Sequence, residues 1–370
     1  MICSDLKKGL HSWLDKLNQP FLLNQGETEI LTLRQDGDRD EVFDVLKGIA
    51  IFLVIIGHCT SGPLKVFAHT FHIPLFFFIA GYFLKIRPIR QEIQLSTKRL
   101  IIPYFFVAFF SSLIAILQDL SHYTWADGTY SQEIIIRLLL GFRTDFAPSW
   151  MNGNIGILWF ILAMFWARCI AVFLIGKIHS IKKLCVIFFI LAILGIVLGK
   201  FVFVPYCIPH GLTASALVYV GFLIRKFRIL NSEYINKILP FLLILWLCSL
   251  NHGGLGMASG NYPLGFIFSS LGALGAFLTL YIVVKTIYRK DSTFWRFIYF
   301  GGRFSLIIYC VHAIEFDNFN WKAFALLHHV PLNHFDLFQL AAHFTITLVF
   351  TSIILKIKPI KEHIFQIRNV

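Results

Sequence analysis

The chain has 370 residues, 57% of them hydrophobic and only 14% charged, with a mean hydropathy of +0.72. Soluble domains carry roughly 25% charged residues, so a soluble globular protein is excluded and an integral membrane protein is expected. The formal charge of +13 does not signal nucleic acid, because Lys and Arg cluster between apolar runs, where they set membrane orientation.

Residues 1–42 are polar and mixed in charge, apart from a modest amphipathic patch around Leu6–Leu17, and read as a cytoplasmic leader. No short apolar core with a small-residue cleavage site opens the chain, so the first apolar run is expected to act as its own insertion signal. Ten segments then approach the ~20 residues a spanning helix needs. They lie near 43–61, 66–85, 99–118, 155–175, 183–202, 206–224, 237–251, 263–285, 297–314 and 338–356. With the N-terminus inside, the inner connections and tail hold twenty Lys and Arg, and the outer connections hold five (Lys65, Arg137, Arg143, Lys200 and Lys322). That is the bias of the positive-inside rule. The expectation is therefore an all-α integral membrane protein of about ten transmembrane helices with both termini cytoplasmic. Its membrane domain spans 43–357, and 358–370 form a cytoplasmic tail. Within 183–224, Pro205 and Pro209 suit either a short outer loop or a broken helix. Two outer connections are long, 119–154 with Trp125, Asp127 and Tyr130, and 315–337 with Glu315, Asp317, Trp321 and three histidines. Their aromatics suit carbohydrate binding and interfacial anchoring alike. The seven cysteines show no metal spacing and no disulfide framework.

The first segment carries the chemistry. His58 closes an apolar run that starts at Asp44, and an imidazole in such a run is costly in lipid, which marks it as a functional candidate. The alternative is a packing histidine bonded to a neighbouring carbonyl. Lys47 lies eleven residues earlier, which on a helix is within roughly 20° of the same face and about 16 Å away along the axis. Lys47 also suits simple snorkelling to the membrane surface. In the second segment His69 and His72 are three apart, hence on one helix face near its outer end. A metal pair there is disfavoured, since metal-binding histidines on one helix are more often four apart, and no metal is expected. Pro74 should break a hydrogen bond inside that span. Lys98 and Arg99 stand at the inner end of the third segment, suited to phosphates or to orientation alone. Ser305, Tyr309 and His312 follow at helical steps in the ninth. Ser305 and His312 are seven residues apart, about 10 Å on a helix, which disfavours a serine hydrolase.

Lys47 and His58 with ten residues between them, then Phe71-His72-Ile-Pro74-Leu-Phe76-Phe-Phe-x-x-Gly81-Tyr82, resemble membrane acyltransferase family 3, in the flavour of fucose 4-O-acetylase-like sugar O-acetyltransferases. The resemblance continues through Arg99-Leu-Ile-Ile-Pro103-Tyr104, Leu158-Trp159-Phe160, Gly221 before Arg225, and Ser305-Leu306-x-x-Tyr309-x-x-His312, and covers roughly 38–357. It implies a cytoplasmic acyl-CoA donor, usually acetyl-CoA, used as a cosubstrate with no tightly bound cofactor. It implies an acceptor hydroxyl on an extracytoplasmic sugar or glycan, possibly lipid-linked, and a bacterial cytoplasmic membrane. Lys47, Lys98 and Arg99 would bind the CoA phosphates, with Ser96 where the family often has the first Arg of an Arg-x-x-Arg pair. His58 would act as general base or transient acetyl carrier, and His72 would orient it or protonate the leaving thiolate. Asp44 would fix Lys47, while His69, Trp159, Ser305, Tyr309 and His312 would support the substrate. Gly48, Gly57 and Gly81 would permit close helix approach. The rivals are a transporter or flippase for a lipid-linked sugar, with His58 as proton relay, and a non-catalytic scaffold.

Overall fold

The computed structural model describes residues 40–121, 129–143, 155–329, 331 and 335–367. The leader up to residue 39, Trp125, Asp127 and His334 lie outside the described residues, as does the end of the tail. The chain is all-helical, with no strand among the described residues.

The first span is α1, Glu41–Cys59. The second divides into α2, Gly62–His69, and α3, His72–Tyr82. Next come α4, Ile89–Ser96, a π-helical stretch over Thr97–Ile101, and α5, Ile102–Ser121. After α6, Thr129–Leu140, follow α7, Trp159–Lys177, α8, Ile181–Phe201, and α9, Ile208–Lys226. The C-terminal half contains α10, Tyr234–Asn251, α11, Gly265–Ile287, α12, Thr293–Arg303, α13, Ser305–Asn318, α14, Trp321–Leu327, and α15, Phe335–Lys356.

Among the described residues, eight helical stretches are long and apolar enough to cross a membrane, nine with the bent pair α12–α13. The remaining expected segment is the shorter apolar α10, with Pro240 inside it. Each of the ten apolar runs is thus helical, but three differ in detail from the sequence reading. The second span breaks at Thr70–Phe71, so His69 ends one helix and His72 begins the next. Pro74 then sits in the first turn of α3, where a missing N–H costs no bond. Pro205 and Pro209 flank a tight connection in which Tyr206 and Cys207 take positive φ, so α8 and α9 are separate helices. The ninth segment bends by 75° at Phe304, two residues after Gly302 of the Gly301-Gly302 pair. A glycine pair is a weak point in any helix.

α1 is the central helix: 72% of its apolar window is buried, against 22% in α8 and 17% in α15, which face outward. It packs chiefly against α12, with α2, α3, α11, α13 and α15 around it. The α1–α12 crossing is close because both sides lack side chains there. A Cβ on Gly48 would run into the Ile298 carbonyl, and one on Gly302 into the Asp44 carbonyl. Gly81 and Gly221 meet the Val218 and Phe78 carbonyls in the same reciprocal way at the α3–α9 crossing. Apolar burial does not favour helix association in lipid, so such backbone approach supplies the packing.

The direction of α15 follows from three contacts. Asp336 accepts hydrogen bonds from the Ser61 amide at 3.1 Å and the Ser61 hydroxyl at 2.6 Å, just beyond the His58 end of α1. Lower down, Phe344 meets Phe52 with ring centroids 5.5 Å apart. α15 therefore descends antiparallel to α1, from the His58 end towards the Lys47 end.

Candidate active site

Histidines from α1, α2, α3, α13 and α15 gather at one end of α1. The His58 ring lies 5.6 Å from that of His312 and 6.2 Å from that of His69, and His69 lies 5.0 Å from His72. Phe316 caps His58 at 5.1 Å. His72 thus reaches the His58 neighbourhood through His69, not by a ring contact of its own.

Helix geometry selects the tautomers. His58 Nδ1 is 2.8 Å from the Val54 carbonyl, His69 Nδ1 2.8 Å from Lys65, and His72 Nδ1 2.5 Å from Ala68. Each acceptor is a carbonyl oxygen four residues back, so Nδ1 must carry the proton and Nε2 must hold the lone pair. The packing-histidine reading of His58 is therefore correct for one nitrogen, and it leaves the other basic.

His312 and His343 behave differently. Both turn Nδ1 onto the same oxygen, Glu315 Oε2: His343 in direct hydrogen-bond contact, His312 at 3.5 Å. The other Glu315 oxygen accepts the Trp321 indole N–H. His312 and His343 are fully buried and Glu315 is 9% exposed. Glu315 was expected in an outer loop, but α13 continues to Asn318 and places it in the helix's last turns. Trp321, read above as suited to carbohydrate binding and interfacial anchoring alike, is buried against it. His343 was missed altogether. The signal was available, an imidazole within the apolar run 338–356, by the same reasoning that singled out His58.

The other end of α1 carries charge. Lys47 Nζ is 2.5 Å from Asp44 Oδ1, with Asp44 nearly buried. Arg303 follows Gly302, the residue that abuts Asp44 and Gly48. Lys98 and Arg99 are exposed on the π-helical stretch, which packs against α4, α5 and α7 and not chiefly against α1. Beside them, buried Glu92 ion-pairs with Arg87 at 3.2 Å and Arg168 at 3.0 Å, and accepts the Ser96 hydroxyl at 2.8 Å. Sequence spacing alone could not find this cluster, whose members span 81 positions from Arg87 to Arg168.

Three further expected residues lie on α7 and α13. The Tyr309 hydroxyl donates to the Ile157 carbonyl, with its ring 5.5 Å from Phe160. Trp159 is buried against His210 at 5.3 Å, and Ser305 opens α13. Between the two ends of α1 runs a polar strip. The only buried residues of α15 are His343, Thr347 and Thr351, all on its inward face. The Thr347 and Thr351 hydroxyls have no hydrogen-bond partner among the described residues.

A family model described as an acyltransferase domain matches residues 40–356. No curated protein and no solved structure gives a match.

Proposed function

The chain belongs to acyltransferase family 3, and on that premise we propose that this multi-pass membrane acyltransferase moves an acetyl group from acetyl-CoA to a hydroxyl of a sugar or glycan. Donor and acceptor approach from opposite faces of a bacterial cytoplasmic membrane. The observation that carries this reading is His58. It is half-buried, locked through Nδ1 to Val54, and presents a basic Nε2 on the helix that carries Lys47 at its other end.

The CoA phosphates dock at the cationic end, with Lys47 on α1, Arg303 beside it, and Lys98 and Arg99 on the π-helical stretch. The pantetheine arm passes along the α1–α15 seam, where the unbonded hydroxyls of Thr347 and Thr351 offer partners for its amides. The thioester then lies beside His58. The acceptor enters from the His58 end, and Nε2 takes its hydroxyl proton as the oxygen attacks the thioester carbonyl. The C–O bond forms, the C–S bond breaks, and the CoA thiolate leaves with the proton returned by His58. His312, whose ring lies 5.6 Å from that of His58, stands beside the imidazole at the stage when it is cationic.

The test is release of free CoA from acetyl-CoA by the full chain in lipid nanodiscs, wild type against His58→Ala, with a panel of sugar acceptors. Thiol release by wild type that the variant loses, both being equally well folded, supports the reading, and stimulation by one acceptor identifies the substrate. Well-folded wild type that neither binds nor turns over any acyl-CoA would sink it in favour of a transporter.

A further inference from the structure

Among the described residues, His58, His69, His72 and His252 all satisfy Nδ1 with the carbonyl four residues back. His312 and His343 do not. From two different helices they aim Nδ1 at one oxygen of Glu315, and their ring centroids are 5.3 Å apart. A single hydrogen bond explains His343, but it does not explain His312. At 3.5 Å its Nδ1 makes no hydrogen bond to Glu315, and its Nε2 has no hydrogen-bond partner among the described residues, although the ring is wholly buried. A buried, unsatisfied imidazole is costly unless something else occupies its lone pair.

We infer that His312, Glu315 and His343 form a binding site for a divalent transition-metal ion of the zinc class, at the His58 end of the bundle. One nitrogen of each histidine and one carboxylate oxygen lie within 4.8 Å of one another. Ligands about 2.0–2.2 Å from zinc are roughly 3.3 Å apart in a tetrahedral site, so the His312–Glu315 spacing already matches. Two imidazoles and a carboxylate suit zinc, iron(II) or cobalt, whereas magnesium and calcium prefer all-oxygen shells. The surroundings resemble those of metal ligands elsewhere. Trp321 holds the second carboxylate oxygen, and His343 Nε2 lies 3.4 Å from the Gln339 amide, which one amide flip turns into an acceptor for its N–H. No fourth His, Cys, Asp or Glu among the described residues joins the group. Three protein ligands with a vacant position are the pattern of catalytic rather than structural zinc. The inference concerns metal binding and stands whether or not the chain transfers an acetyl group.

The full chain, purified in lipid without chelator or affinity histidines, is stripped with a chelator, loaded with zinc chloride and desalted. Metal content is then read by mass spectrometry. One zinc per chain is expected in wild type and in His252→Ala, which removes an exposed histidine, with at least a tenfold loss in Glu315→Gln and in His343→Ala. Cobalt(II) in place of zinc should give visible ligand-field bands that both variants lose. Monodisperse wild type that retains less than about a tenth of an equivalent overturns the site without reference to any variant. Equal retention by wild type and folded Glu315→Gln overturns it as well, and leaves a proton-sharing His–Glu–His triad in its place.

Discussion

His58 gives one ring nitrogen to Val54 and keeps the other for an acceptor. Replacing it with Gln preserves a polar group but removes the base, so turnover should fall about 10²- to 10⁴-fold with little change in the KM for acetyl-CoA. Steady-state thiol release checks this, and a variant that loses affinity while keeping turnover would refute it. The threonine strip makes the opposite prediction. Thr347→Val and Thr351→Val each remove one hydroxyl, and a hydrogen bond of about 0.5–1.5 kcal/mol corresponds to a 2- to 10-fold higher KM with kcat near wild type. If both variants leave the KM unmoved, the pantetheine path lies elsewhere. Legibility varied residue by residue: His58 stood out because it is alone in a long apolar run. His343 carried the same signal with no nearby motif to direct attention to it, and Glu315 was hidden by a helix end misjudged by one turn.

Among the elements, the α1–α12 crossing rests on Gly48 and Gly302, each meeting a carbonyl of the other helix. Gly302→Val cannot be absorbed by a side-chain rotation, because the obstacle is backbone. It should cost about 1–3 kcal/mol or more, visible as a lower melting temperature in detergent. Unchanged melting would mean that the helices can separate freely. The clamp on Glu92 ties α4 to α7. Arg168→Met leaves a buried carboxylate with Arg87 alone, and should destabilise by about 2 kcal/mol, below the usual cost of breaking a buried pair because one cation remains. Glu92→Gln combined with Arg168→Met should recover part of that loss in the same melting assay. A third tie joins the first residue of α1 to the segment that follows α11. Glu41 accepts the Tyr288 hydroxyl at 3.1 Å and pairs with Lys290 at 2.6 Å. Burial and then the Glu41 carboxylate raise the Tyr288 hydroxyl to about 12, and the same carboxylate raises Lys290. Both raised groups stabilise the fold fully below their unfolded values near pH 10, and the contribution disappears as pH climbs through the folded ones. Melting temperature should therefore lose a small increment above about pH 10, and Glu41→Gln should shrink that increment to the part that burial of Tyr288 supplies.

On the scale of the whole molecule, the reading requires two opposite faces. Single cysteines at the exposed positions Lys290 and Lys65 should label from opposite sides of the membrane in intact cells, Lys65→Cys from outside and Lys290→Cys only after permeabilisation. Labelling of both from one side would reverse or break the donor–acceptor arrangement. The membrane class, the positions of ten apolar helices and the place of His58 at one end of the first of them were all available from the amino-acid order. Hydropathy acts locally, and a costly imidazole in an apolar run announces itself wherever the helix packs. The break at Thr70, the bend at Phe304 and the antiparallel seam between α1 and α15 were not available, because each depends on which helices meet. The same holds for the meeting of His58, His312, Glu315 and His343, which spans 285 positions. Period and spacing report neighbours on one helix, whereas a site built from five helices exists only once close backbone crossings and the ring contacts between them have chosen the partners.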